Sequence, residues 1–373
     1  MKLSHKFGVL ALLGTFAALM AAPPASAGSI EDFYKGRKVT VIISTSPGGG
    51  YDTYARLVTR YMARYIPGNP TMVPKNMPGG GHAVAGQYLY NIAPKDGSVL
   101  ATLGQNLPLS QVLRPKKTKF DTRKFAWIGN VNLGNNIIWA WHTTGIKTIQ
   151  DVLKKELIVG ATGSRSTSVM YPRALNNLIG TKFKIIIGFG GGSQINLAME
   201  RGEVGGRGSN AWASAKSRTP RYLKEKLVNI ILQMGPRREK DLPDVPLITE
   251  LATNEAERQV LNLISAGVAI GRPILTTPGV PPERIGALRA AFDATMKDEE
   301  FLAQAKKMRL DINPVSGVEV QKAVNDIINT PKDIVELTKA ALTKGKTFKC
   351  KKLVKDAKLC KKKKRKKKKK KSS

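Results

Sequence analysis

The stretch KVTVIISTSPGGGYDTYARLVTRYMARY, residues 38–65, decides how this chain is read. Its opening, Val39-Thr40-Val41-Ile42-Ile43-Ser44, is short, β-branched and mostly apolar, as in a strand covered on both faces. Its second half sets Tyr51, Tyr54, Ala55, Val58, Tyr61, Met62 and Tyr65 at three- and four-residue intervals, the spacing of a helix with one apolar face. Pro47-Gly48-Gly49-Gly50 joins the two. Without Cβ atoms the loop leaves the first N–H groups of the helix open, and a helix start attracts anions. The pattern predicts an anion site beyond the carboxyl end of a strand in an open α/β sheet. No Gly-Lys-Ser/Thr follows the glycines, and Gly48-Gly49-Gly50-Tyr51-Asp52-Thr53 lacks the last glycine of a dinucleotide fingerprint.

Similar loops recur. Residues 71–77 lead into Pro78-Gly79-Gly80-Gly81 and a helix-like segment, residues 83–90. Residues 157–159 lead into Gly160-Ala161-Thr162-Gly163-Ser164-Arg165-Ser166-Thr167-Ser168, and residues 185–187 into Gly188-Phe189-Gly190-Gly191-Gly192-Ser193 and a helix over 194–201. Repetition of strand, glycine loop and helix argues for sheet edges that hold a small anion.

The chain opens with basic Lys2 and Lys6, an apolar run over residues 7–22, and Ala25-Ser26-Ala27. This is the pattern of a secretory signal peptide over residues 1–27, with cleavage near Ala27 and a periplasmic product. An uncleaved anchor is disfavoured, because the apolar run is short and ends in Pro23-Pro24. The remaining length exceeds what one core usually holds, so two lobes are expected.

Hydrophobic residues make up 42% of the chain, the composition of a globular protein. Cys350 and Cys360 are the two cysteines, too few for a cysteine metal site or a disulfide framework, although they could close one small loop. The net charge of +35 is concentrated toward the end, where Lys361-Lys362-Lys363-Lys364-Arg365 is followed by six further lysines. Such a block repels itself, and residues 344–373 are expected to be a disordered tail. It reads either as a solvated, dispensable extension or as an element attracted to an anionic membrane surface. No nucleic-acid-binding motif accompanies it, and the export signal argues against that class of partner.

Between the loops, further strands are expected over 98–103, 125–131, 136–141, 228–233 and 264–270. Helices are expected over 148–155, 247–252, 254–262, 283–297, 298–308, 317–329 and 331–342. Thr148 is the expected cap of the first of these. Alternating elements of this kind imply an α/β fold with mostly parallel sheets and helices on both faces.

Taken together, Ser46-Pro47-Gly48-Gly49-Gly50-Tyr51-Asp52-Thr53-Tyr54-Ala55-Arg56 resembles the first ligand loop of Bug-type receptors, the periplasmic substrate-binding components of tripartite tricarboxylate transporters. Asn76-Met77-Pro78-Gly79-Gly80-Gly81 resembles the family's second loop, Ala93-Pro94-Lys95-Asp96-Gly97 its next turn, residues 160–168 the loop of its second lobe, and Pro278-Gly279-Val280-Pro281 its late loop. The resemblance keeps its order over residues 31–342. It implies a two-lobed periplasmic binding-protein fold of type II, closing like a Venus flytrap on one small organic carboxylate and presenting it to a membrane permease. The first lobe would comprise residues 28–130 and 270–343, and the second residues 131–269. Two departures stand out. Gly205 follows Gly202-Glu203-Val204 where the family often has an acidic residue, and Gly190 replaces a lysine before the glycines of the fourth loop.

The site expected on these grounds places a carboxylate on the backbone of Gly48, Gly49, Gly50 and Tyr51, beside Ser46. A second polar end would meet Thr162, Gly163, Ser164, Ser166, Thr167 and Ser168, whose hydroxyl and N–H groups suit carboxylate oxygens. Asn76, Gln105 and Asn106 are further first-lobe candidates. Phe189 could pack on the ligand, Asn210 could donate to it, and Arg165 or Arg207 could form a charge-assisted contact. Asp52 is expected to complement the helix terminus and organise the loop. No cofactor is called for, and a monomer is expected.

Two other classes are weighed. For an enzyme, His82 and His142 are the histidines outside the signal and His82, after the second glycine loop, could transfer protons, but no nucleophile elbow, His-Glu-x-x-His or cysteine–histidine pattern is present. A periplasmic sensor that passes ligand state to a regulatory partner would use the same cleft and closure.

Overall fold

A computed structural model describes residues 29–345, 348–354 and 356–362. The expected signal peptide lies outside the described residues. Among the described residues, eleven strands form two sheets. The strands are β1 (Lys38–Ile43), β2 (Thr71–Asn76), β3 (Val99–Thr102), β4 (Ala126–Asn130), β5 (Asn136–Trp141), β6 (Leu157–Ala161), β7 (Phe183–Ile187), β8 (Gly206–Ala211), β9 (Val228–Met234), β10 (Pro273–Thr276) and β11 (Val315–Ser316). The first sheet runs β11-β4-β10-β3-β1-β2 and the second β7-β6-β8-β5-β9. This is an α/β architecture of two lobes, each built on one sheet.

Both sheets are mixed, which corrects the expectation of mostly parallel pairing. β1 pairs in parallel with β2 and β3, and β6 with β7 and β8. β10 runs antiparallel to β3 and β4, and β5 antiparallel to β8 and β9. The antiparallel partners β4, β5 and β10 flank the passages between the sheets, where the chain changes lobe without a βαβ crossover to set its direction.

The two passages lie side by side. Val131 donates its N–H to Arg272 O at 3.1 Å, Asn130 Oδ1 accepts from the N–H groups of Arg272 and Asn132, and Asn313 donates its N–H to Val131 O at 3.2 Å. Gly271 adopts φ +59°, and a Cβ there would overlap Asn132 O, so only glycine admits this close approach. The segment from Gly271 into β10 thereby fixes Arg272 between the lobes.

The opening strand and helix form as the pattern requires. Val39 and Val41 bury one face of β1 against Tyr54, Leu57, Val58, Tyr61 and Met62 of helix Gly50–Met62, while Ile42 enters the core on the other face. Each such buried side chain contributes about 1.5–3 kcal/mol of apolar transfer. Thr148 caps helix Ile149–Lys154 through a capping box with Asp151.

The expected strand over 264–270 is not formed. Helix Glu255–Ser265 runs into a 3-10 turn, Ala266–Ala269. Ala256, Val260, Leu261, Leu263 and Ile264 are buried at helical spacing, and a continuous apolar run cannot distinguish the two states by periodicity. The segment expected as a helix over 247–252 is a 3-10 turn, Ile248–Leu251.

Disorder from Lys344 onward does not hold for its described part. Phe348, Val354 and Leu359 pack with Cys350 against Ala256, Val260, Leu337 and Ala341, and Cys350 and Cys360 form a disulfide. Apolar residues spaced among the lysines supply the contact, and the cross-link lowers the entropy lost on folding back. The remaining lysine block, residues 363–373, lies outside the described residues. Among the described residues no helix is long and apolar enough to cross a membrane.

Candidate functional site

The ends of β1, β3 and β6, the start of β5 and the body of β8 converge on one cavity of about 70 Å³ between the two sheets. Three helix N-termini point into it. Gly49, Gly50 and Tyr51 open helix Gly50–Met62; Ser166, Thr167 and Ser168 open helix Thr167–Ile179; Gly191 and Gly192 open helix Gly192–Glu200. The first turn of each helix carries N–H groups with no carbonyl before them, and no N-cap side chain is bonded at these three starts. The three macrodipole ends add to one positive field.

Two arginines reinforce it. Arg207, on β8, is half-buried with its Nε shielded from solvent, and its guanidinium would overlap a Cβ at Gly192. It donates from Nη1 to Asn196 Oδ1 at 3.2 Å, whereas its Nε has no partner. Burial, then the neighbouring charge of Arg272, pulls its pKa down to about 9. Arg272 is 8% exposed, donates from Nη2 to Ser214 Oγ at 2.8 Å, and stacks over Tyr51 and, at longer range, Tyr54. No carboxylate forms a salt bridge with either arginine among the described residues. Buried cations without counterions are costly unless an anion completes them. Thr45 Oγ1 and Gln105 Nε2 also line this space without hydrogen-bond partners.

His82 forms part of the wall. Its ring lies against Gly104, where any Cβ would overlap it, and its Nδ1 is 2.8 Å from Ser44 Oγ. Burial, then Arg272, lowers its pKa to about 4, so it is neutral near pH 7. The Tyr51 hydroxyl accepts from the Gln105 N–H at 3.1 Å. No cluster of His, Cys, Asp or Glu suited to a metal is present among the described residues.

Of the residues expected at the site, Gly49, Gly50, Tyr51, Gln105, Asn106, Thr162, Ser166, Thr167, Ser168, Arg207 and Asn210 line this cavity. The others stand elsewhere. Gly48 is removed as a donor because its N–H bonds Asp52 Oδ2 at 2.9 Å. Asp52 also accepts from Arg56 and Asn76, so Asn76 braces the loop from behind. Phe189 packs beside Ile195 in the second lobe. Ser164 meets Arg114, and Arg165 donates to Lys117 O at 2.7 Å while its own carbonyl accepts from Asn106.

Ser46, Gly163 and Gly48 hold the lobes together instead. Ser46 donates its N–H to Gly190 O at 3.1 Å, Ser193 Oγ donates to Pro47 O at 3.0 Å, and Arg218 Nε donates to Gly48 O at 3.0 Å. A Cβ at Gly163 would stand 2.7 Å from Gly81 N, and one at Gly191 would stand 2.5 Å from Ser46 Oγ. Gly190, which replaces the lysine of the resembled family, and Gly191 let these backbones meet. The structure is therefore the closed arrangement.

Sequence reasoning missed Thr45, Asn136, Ser209, Ser214 and Arg272. Arg272 alone left a signal, as a solitary charge in the apolar run over 264–276.

No protein-family model matches the chain. A UPF0065 protein in the TAR-I ttuE-ttuC' intergenic region of Agrobacterium vitis is 25% identical over 277 residues, covering 73% of this chain and 76% of that protein. MatC (Rpa3494) from Rhodopseudomonas palustris, solved with bound malate, superposes with a TM-score of 0.64 at 20% identity, covering 80% of this chain and 99% of that one. The periplasmic binding protein BugD superposes with a TM-score of 0.65 at 18% identity, covering 83% and 98%. The fold that the resemblance to Bug-type receptors implies is thus the one these solved structures share.

Proposed function

We propose that this protein is an extracytoplasmic solute receptor that closes on a small organic carboxylate and delivers it to a tripartite tricarboxylate-type permease. The observation that carries the reading is the pair of half-buried Arg207 and buried Arg272, which line the cavity beside three helix N-termini with no carboxylate partner among the described residues. One ligand carboxylate meets the N–H groups of Gly49, Gly50 and Tyr51 under Arg272. A second meets Ser166, Thr167 and Ser168 near Arg207. Two cations separated across one cavity favour a doubly charged ligand over a monocarboxylate, because each unpaired guanidinium keeps its desolvation cost.

The malate bound by MatC fits this chemistry. His82, neutral and held by Ser44, serves as wall rather than as proton carrier, so the site binds and does not turn over. The first twenty-seven residues export the chain to the periplasm, and the lysine block beginning at Lys361 favours an anionic membrane surface, at about 1 kcal/mol per residue near it.

The test is a thermal-shift and calorimetric panel of mono-, di- and tricarboxylates on the mature chain, with product analysis after incubation. At least one dicarboxylate should raise the melting temperature and be recovered unchanged. Silence across all organic acids, or conversion of one, overturns the reading.

A further inference from the structure

A second basic cavity, of about 360 Å³, lies at the edge of the lobe interface and takes no part in the carboxylate cleft. Arg114 enters it from the end of helix Leu107–Leu113 in the first lobe, Ser164 and Arg173 from the second, and Lys339, Thr343 and Lys344 from the C-terminal helix and the turn after it. No acidic side chain lines it. Lys339 is paired with Glu336 at 2.7 Å, but Arg173 has no hydrogen-bond or salt-bridge partner among the described residues. Among the described residues the Arg114 guanidinium bonds only Ser164, at 3.3 and 3.4 Å, the long end of the range. Burial and the charge of Arg114 together lower the pKa of Arg173.

We propose that this cavity binds a soluble, multiply charged oxyanion of the phosphate type, and that its occupancy favours the closed lobes. Two guanidiniums present forked N–H pairs to tetrahedral oxygens, and two ammonium groups add charge without fixed direction. A single carboxylate would leave most of this charge uncompensated. The cavity is complete only when Arg114 and Ser164 are apposed, and these stand on opposite lobes. By linkage, an anion bound here must strengthen closure on the cleft ligand, and the cleft ligand must strengthen its binding in turn.

The experiment is titration calorimetry of the mature chain with inorganic phosphate at fixed ionic strength, which separates a site from general screening. Arg114→Ala/Arg173→Ala should weaken phosphate binding at least tenfold while keeping the carboxylate-induced thermal shift. Arg207→Ala/Arg272→Ala should abolish that shift and leave phosphate binding within threefold. If the first pair fails to fold, Lys339→Gln/Lys344→Gln should give the same loss in smaller measure. Phosphate binding that is absent, or that survives both rim variants, overturns the proposal. Loss through the cleft pair instead would assign phosphate to the cleft and overturn it equally, whereas failure of the carboxylate panel alone leaves the rim result intact.

Discussion

The guanidinium of Arg272 lies 4.1 Å from the ring centroid of Tyr51. Tyr51 belongs to the first glycine loop, whereas Arg272 enters from the returning passage and is gripped by Ser214 of the second lobe. The stacked pair joins three separated parts of the chain at the floor of the cleft. It also spreads the arginine charge over an aromatic face while leaving the remaining N–H groups to an anion.

Removing that charge should separate binding from stability. Arg207→Met is expected to stabilise the ligand-free protein by about 1–3 kcal/mol of relieved desolvation, and so to raise its melting temperature. The same change should weaken carboxylate binding by roughly a hundredfold, the scale of a lost charge-assisted contact. Paired denaturation and calorimetry check both signs. A variant that loses stability and keeps its affinity would make Arg207 a packing residue only.

Closure depends on backbone contact at Gly163. Gly163→Ala places a methyl against Gly81 N. The lobes should stay apart, with a larger radius of gyration by X-ray scattering in saturating ligand and an affinity reduced about tenfold or more. Unchanged scattering and affinity would show that the loops separate without consequence.

Acid should weaken the fold through His82. The unfolded imidazole takes a proton near pH 6.5, but the folded one resists until about pH 4. The unfolded state therefore binds more protons between these values, and stability falls as pH drops through that window. It is fully present above pH 6.5. At about 1.4 kcal/mol per pH unit the loss is on the order of 3 kcal/mol. Chemical denaturation from pH 7 to pH 4 should show this slope in the parent and a shallower one in His82→Gln.

The disulfide should act locally. In Cys350→Ser/Cys360→Ser the segment around Phe348 and Leu359 is expected to leave helix Lys332–Ala341, and hydrogen exchange should rise over residues 337–341. The melting temperature of the body should move by only about a few degrees, because the segment covers a small satellite cluster. Equal exchange in both proteins would assign the packing to the apolar residues alone.

The glycine loops were legible because each combines strand composition, bared N–H groups and helical spacing within a few residues. Tyr51, Gln105, Thr162, Ser166 and Asn210 follow from such local signals. Arg272 stands out in the sequence only as a solitary charge in an apolar run, and its place in the cleft depends on the pairing of two passages about 140 residues apart. Gly48 and Asn76 show the opposite error. They sit in the right loop, but Asp52 consumes the Gly48 donor and recruits Asn76, and a side-chain bond of that kind has no sequence period. Antiparallel β10 escaped for the same reason as Arg272, because strand direction across a passage is a tertiary property.

The bonds that Ser193 and Arg218 make to Pro47 and Gly48 lie at the exposed lip of the cleft. Water competes for such bonds, so each adds little to the shut form, and shutting stays reversible. A docking surface that offered its own acceptors to Arg218 and Ser193 would loosen the lip at the moment of contact. For the receptor proposed above, recognition by a permease and release of the bound carboxylate would then be a single event, coupled through an exchange of hydrogen bonds at the lip.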